Sequence, residues 1–314
     1  MFDAPTDPRF EDDAFVSFDG ERLGASVWPA ANVDAPKHVI VGVHGMNDYA
    51  GAFRWTAPWL AERGVTTYAY DQRGFGRSPH WGIWPEESVM IEDLHAAVRA
   101  ARSAHPDAQI TVIGISMGAA VSMAAFGSGD PPAADKLILS SPGLRGWGAL
   151  PLSYRVSLWA SAHIRPGWVV RPPKGIKITP TDNNDVLRTQ WNDPFNQKTN
   201  RIDSVHGVVS IMETAHKRAH ALPGDTPTLL LYGARDEVIP EAGVRRTAKQ
   251  LPAHVRTAYY ENGYHMLLRD LQRETVWADI LAFIEDAEGP LPSGAPTLPF
   301  QVGNQQFASK TEVD

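Results

Sequence analysis

Cysteine is absent from the 314 residues. That excludes a disulfide framework, a thiol nucleophile and a thiolate metal site. Basic residues never gather into a run, and 29 Lys and Arg against 36 Asp and Glu give a formal net charge of −7. This balance argues against a nucleic-acid partner and against an anionic membrane surface held by charge. No window approaches the ~18 uninterrupted apolar residues of a membrane-spanning helix, so no transmembrane segment is expected. The opening MFDAPTDPRFEDD is acidic and proline-bearing, without the positive and apolar regions of a signal peptide. The expected location is therefore the cytoplasm; a periplasmic or exported protein would require a leader removed ahead of it. No segment repeats elsewhere in the chain.

What remains is ordinary globular composition, 43% hydrophobic and 21% charged. A chain of this length can bury roughly 75% of its unfolded surface, enough for one large α/β domain with an insertion. Residues 13 to 29 alternate like an antiparallel edge, with Asp19-Gly20 as a hairpin turn signal. HVIVGVHG (38 to 45) is a nearly continuous β-branched run, the pattern of a strand covered on both faces. Helical and strand-like segments then alternate up to DKLILSSP, which argues for a parallel sheet with right-handed crossovers. From residue 143 to 225 the alternation stops, no buried strand is evident, and helical pieces rich in tryptophan follow; this stretch reads as an inserted helical cap. Alternation resumes with PTLLLYGARD, a helix from Pro240 to Gln250, RTAYYE, and a final helix HMLLRDLQRETVWADILAFIED. The expected division is a core of residues 10–142 and 226–287, a cap of 143–225 and a loose or strap-like tail of 288–314.

Chemistry concentrates at Gly114-Ile115-Ser116-Met117-Gly118. A G-x-S-x-G sequence between a strand and a helix sets serine on a tight turn, with its hydroxyl projecting above the sheet. Here ITVI leads in and an Ala/Met-rich helix leads out, whose N-terminal amides favour a developing oxyanion. Alone, the pentapeptide is equally compatible with a plain Ser/Gly turn. A nucleophilic serine needs a base, and the base an orienting acid. Asp236 follows the apolar strand TLLLYGA, and His265 sits in the loop NGYH before the last helix, in the chain order serine, acid, histidine. Glu237 is the neighbouring alternative acid. The backbone N–H groups of Met117, after the serine, and Met46, after the strand ending in His44-Gly45, are the candidate oxyanion donors. Their thioethers would line an acyl pocket tolerantly.

Other signals are weaker. His216 and His220 share a helical face at a zinc-binding spacing, but the glutamate of H-E-x-x-H is missing, so no metal site is expected. The glycines of DQRGFGRSP lack a following helix and read as a structural turn. Trp81, Trp84, Trp147, Trp159 and Trp191 are candidates for an apolar substrate pocket; equally, they could be core, or a patch that meets lipid transiently.

With these residues placed, the chain resembles the α/β-hydrolase superfamily, and within it the monoacylglycerol lipase and lysophospholipase-like serine hydrolases. The marks are VHGMNDY, YDQRGFGRSP, GISMG, LYGARDEVIP and NGYHMLLRD, with TPTDNNDVLRTQWNDPF in the insertion. One departure is Ala119, where relatives often carry a second glycine. The resemblance implies a mostly parallel eight-stranded sheet flanked by helices, with a helical cap inserted after the sixth strand. It implies an acyl-enzyme esterase, without cofactor, acting on monoacylglycerols, lysophospholipids or small esters. A thioesterase, amidase or acyltransferase with the same triad, or a non-catalytic ligand-binding relative, are the alternatives.

Overall fold

The computed structural model describes residues 7–171 and 178–300. An antiparallel edge comes first, made of β1 (Arg9–Phe10), β2 (Ala14–Val16) and β3 (Arg22–Trp28). Its turn is the Asp19-Gly20 pair: Gly20 takes φ 83°, and the Asp19 carboxylate accepts from the Glu21 amide at 3.1 Å.

The chain then alternates through β4 (His38–Val43), α1 (Thr56–Ala61), β5 (Val65–Tyr70), α2 (Glu87–Ala104), β6 (Gln109–Ile115), α3 (Met117–Phe126) and β7 (Lys136–Ser140). Next come α4 (Leu152–Ile164), β8 (Val169–Val170), α5 (Asn184–Asn192), β9 (Asn200–Arg201) and α6 (Ile202–Arg218). The sheet resumes with β10 (Thr228–Gly233), followed by α7 (Glu241–Ala248), β11 (Arg256–Tyr260) and α8 (Arg273–Glu285). One sheet holds nine of the strands in the order β1-β2-β3-β5-β4-β6-β7-β10-β11, parallel from β5 to β11. The two-residue β1 accounts for the ninth strand. It also makes β7, before the insertion, seventh in chain order rather than the expected sixth.

Two apolar layers cover the sheet because side chains alternate along each strand. Val39, Val41 and Val43 belong to one buried cluster with α2 and α3, while Ile40 belongs to the other with Leu60, Trp277 and Phe283. Burying a side chain of this size stabilises by about 1.5–3 kcal/mol. All ten residues of α3 are buried, which suits a helix without a polar face. It lies against β6 and is covered by α6.

One expectation is corrected and two are made specific. The last helix starts at Arg273 rather than His265, since residues 264 to 272 turn around the Asp270 carboxylate. That carboxylate accepts from Tyr264 N at 2.8 Å and Thr181 Oγ1 at 2.6 Å. The insertion holds no buried strand among its described residues, as expected, but it does hold a short, partly exposed strand pair, with Val169 opposite Arg201 and Val170 opposite Asn200. The tail up to residue 300 is a strap: Tyr259 N donates to Pro296 O at 2.8 Å, and Leu298 and Phe300 are buried. The rest of the predicted tail, 301–314, lies outside the described residues, as do 1–6. Among the described residues no helix is long and apolar enough to cross a membrane.

Candidate active site

Ser116 stands between β6 and α3 with φ 53° and ψ −112°. A non-glycine residue held there costs on the order of 1–3 kcal/mol, so its surroundings must enforce the turn. They do so by contact. A Cβ on Gly114 would lie 2.6 Å from the Ala119 Cα, and one on Gly118 would lie 2.2 Å from the Val43 carbonyl oxygen. The two motif glycines thus let β6, α3 and the end of β4 approach one another. Ser116 N donates to Ser140 O at 3.0 Å, which ties the elbow to β7.

The structure brings the three predicted side chains together from distant parts of the chain. His265 Nε2 is 3.0 Å from Ser116 Oγ, and His265 Nδ1 is 2.7 Å from Asp236 Oδ2. All three residues are buried. Asp236 is oriented by its own loop, because its Oδ1 accepts from Val238 N at 2.9 Å and Ile239 N at 2.8 Å. Neighbouring Glu237 points elsewhere and accepts from Thr179 N at 2.7 Å. The carboxylate fixes Nδ1 as the protonated nitrogen, leaving Nε2 free to accept a proton from the serine.

Met46 and Met117 bracket the serine. Gly45 and Met46 line the same cavity as Ser116, and Met117 opens α3. Among the described residues neither amide donates to a protein acceptor. The Met117 side chain is buried in the core rather than lining a pocket, unlike Met46.

A polar network that sequence patterns did not reveal fixes the Met46 loop. Buried Asp48 forms an ion pair with Arg269, four residues beyond His265, and accepts from Asn196 Nδ2 at 3.1 Å. Arg269 and the nearby His44 lower the Asp48 pKa against the opposing effect of burial. His44 Nε2 accepts from Gln72 N at 2.8 Å, and Asp71 accepts from Ala50 N at 2.8 Å and from Arg77. DQRGFGRSP is therefore the structural turn it resembled. The insertion joins the same network: Gln197 N donates to Asn47 O at 3.0 Å, and Asn183 Nδ2 to Arg269 O at 3.0 Å. These pairs are more than 80 residues apart in sequence, and no local pattern could announce them.

Above the serine lies a cavity of about 1180 Å³. Its walls are mainly apolar, including Leu158, Val208, Val209, Met212 and Ile239, and its polar end holds Asn47, Asp48, Gln190 and Asn196. Of the five predicted pocket tryptophans only Trp191 lines it, together with Trp168, which was not among them. Trp84 is instead wedged edge-on against Phe75 and over Gly207, where a Cβ would lie 2.2 Å from the indole. Trp147 is half-buried against the core, its Nε1 donating to Ser210 Oγ at 3.0 Å. Trp159 stacks on His163 on the outer side of α4, and Trp81 is exposed in the loop after β5. Sequence spacing could not separate these fates, because neither the loop after β5 nor the insertion has a long strand to set a period.

His216 is buried, with its ring nitrogens 3.0 Å from Thr247 Oγ1 and 3.0 Å from Gln250 Nε2. Among the described residues no trio of His, Asp or Glu is grouped as metal ligands would be.

Sheet order, elbow and serine–histidine–carboxylate array together define an α/β-hydrolase fold of the serine hydrolase class. The chain belongs to the serine aminopeptidase S33 family, whose model matches residues 34–272. It is a hydrolase of the esterase and lipase type. A monoacylglycerol lipase of Mycolicibacterium smegmatis is 26% identical over 86% of this chain and 95% of its own. A monoglyceride lipase of Rattus norvegicus is 25% identical over 83% and 85%. A soluble variant of monoglyceride lipase from Saccharomyces cerevisiae, solved with a substrate analog, superposes with a TM-score of 0.73. It is 17% identical, and the match covers 91% of this chain and 97% of that one.

Proposed function

We propose that the protein hydrolyses carboxylic esters with an apolar acyl chain through an acyl-enzyme, monoacylglycerols being the substrate class that best fits. The carrying observation is the cavity: its lining joins many apolar side chains, suited to an acyl chain, to Ser116 and to carboxamide groups suited to a hydroxylated head.

In this reading His265 Nε2 takes the Ser116 proton as Oγ attacks the carbonyl carbon. Asp236 holds the imidazole tautomer and stabilises the imidazolium. The amides of Met46 and Met117 hold the oxyanion, each worth about 10²–10³ in turnover. The imidazolium then protonates the departing alkoxide, and water repeats the attack to release the acid. Residues 143–225 act as the cap that shapes the cavity over a core of 10–142 and 226–287.

The family description raises amide hydrolysis as a second reading. An aminopeptidase must recognise a substrate ammonium, and the carboxylate among the described lining residues, Asp48, is already paired with Arg269. That pairing favours the ester. A panel of p-nitrophenyl esters from C2 to C16, with monoolein, lysophosphatidylcholine and leucine p-nitroanilide, tests the choice. Monoolein and medium or long esters should turn over. Preference for C2 without glyceride activity, or turnover of the anilide alone, would overturn the assignment.

A further inference from the structure

The cavity over Ser116 is apolar along most of its wall, yet its charged lining is unbalanced. Among the described residues that lining holds Arg145, Lys198 and Arg269 against a single carboxylate, Asp48. Arg269 and Asp48 form an ion pair and cancel. Lys198 donates to the carbonyls of Gln190 and Asp193 and lies over the Trp191 ring, partners that carry no charge. Arg145 is exposed and, among the described residues, takes part in no ion pair or side-chain hydrogen bond. Two uncompensated cations therefore line the cavity of a chain whose net charge is −7.

Arg145 is free at its head but fixed at its base. On one side of it Gly143 N donates to Ser116 O at 2.9 Å, and on the other Gly148 N donates to Glu213 Oε2 at 2.9 Å. A Cβ on Gly146 would lie 2.6 Å from the Glu213 backbone, and one on Gly243 would lie 2.8 Å from Leu144 O. The loop is thus packed onto α6 and α7 with no room for a methyl group. Arg145 stands two residues from the contact with Ser116, at most about 7 Å of extended chain. The carboxylates of α6 and α7 are committed to other partners, Asp203 to Arg201, Glu213 to Arg246 and Glu241 to Arg245. None is left to neutralise Arg145.

We infer that the site selects esters bearing an acidic group, a phosphate or a carboxylate, and that the Arg145 guanidinium is the residue that reads it. Paired N–H donors match two oxygens of either group, and a held backbone aims them. Lys198 adds to the attraction, because apolar walls concentrate the field of like charges in a cleft. A choline head, by contrast, would bring a cation towards two others. The substrate named here rests on the ester-hydrolase reading above: a monoacylglycerol phosphate is a better substrate than the matched monoacylglycerol. The charge preference itself is a property of binding and needs no turnover.

Two matched pairs of esters test it and locate the acid. The first is 1-decanoylglycerol 3-phosphate against 1-decanoylglycerol, with the acid on the alcohol; the second is mono-p-nitrophenyl glutarate against p-nitrophenyl butyrate, with the acid on the acyl chain. In at least one pair the acidic member should have the higher kcat/KM, and the acidic-to-neutral ratio should fall about tenfold in Arg145→Gln, through KM. Arg145→Lys should keep part of the preference, and about 0.5 M NaCl should narrow it. The ratio does not depend on how much of a variant is folded. A ratio unchanged by Arg145→Gln in both pairs, or neutral members preferred in both, would overturn the inference. Quenching of tryptophan fluorescence by the uncleavable ethers 1-O-decylglycerol 3-phosphate and 1-O-decylglycerol separates this failure from that of the hydrolase reading. If no ester is turned over, the hydrolase reading fails and the ethers decide the charge preference alone: tighter binding of the phosphate that Arg145→Gln removes supports it, and equal binding overturns it.

Discussion

Replacing Gly118 with alanine adds a single methyl group at the point where α3 meets the end of β4. The ideal Cβ would sit 2.2 Å from the Val43 carbonyl oxygen and 2.6 Å from that of His44. Both neighbours are backbone, so no rotamer change relieves the contact. Reaching van der Waals separation requires a shift of about 1 Å between the elbow and the strand that leads into Met46. Overpacking of this kind costs about 1–3 kcal/mol of stability. The catalytic loss should be larger than that suggests, because the two elements forced apart carry the two amides proposed to hold the oxyanion. A misplacement near 1 Å can cost about 10²-fold in rate. The assay is kcat/KM for p-nitrophenyl butyrate alongside urea unfolding of Gly118→Ala. The control is Gly224→Ala, where the nearest atom to the new methyl is 4.0 Å away; it should leave activity unchanged and stability equal or slightly higher. Wild-type kcat/KM and stability in Gly118→Ala would refute the close-approach argument.

Asp236→Asn should lower kcat by about 10⁴ with little change in melting temperature, whereas Glu237→Gln, whose carboxylate bonds only at Thr179 N, should stay near wild type; the opposite ranking in steady-state kinetics would move the acid to Glu237. Glu213 supplies a pH test. Hydrogen bonds from Arg246 at 2.9 and 3.0 Å outweigh burial and hold its pKa down to about 2 from 4.5. A carboxylate depressed in the folded state stabilises fully above its unfolded value and loses that contribution as pH falls towards the folded one. The stability gap between wild type and Glu213→Gln, roughly 1–2 kcal/mol near neutrality after allowance for solvent screening, should therefore close between about pH 5 and pH 2 in urea titrations. A gap independent of pH would show that the pair contributes nothing through ionisation.

The parts of the molecule legible in the sequence are those with a local physical cause. HVIVGV and TLLLYG read as buried strands because sheet strands covered on both faces need apolar side chains in succession. Ser116 was found through two glycines whose small size the packing demands. Asp236 and His265 were found through strand ends, where this topology collects functional groups. The tryptophans were not sorted, since Trp84 and Trp191 look alike in sequence and only the folded insertion separates core from cavity. Asp48, Asn196 and Arg269 were missed for the same reason: each reads as an ordinary loop residue until the chain brings them together.

Everything proposed for the site depends on Ser116 acting as the nucleophile. Treating the protein with a fluorophosphonate, whose fluoride is displaced by an activated serine oxygen, and locating the adduct by mass spectrometry tests it most directly. One adduct is expected, on Ser116, absent from Ser116→Ala and strongly slowed in His265→Ala. Labelling that bypasses Ser116, or survives unchanged in Ser116→Ala, would contradict it.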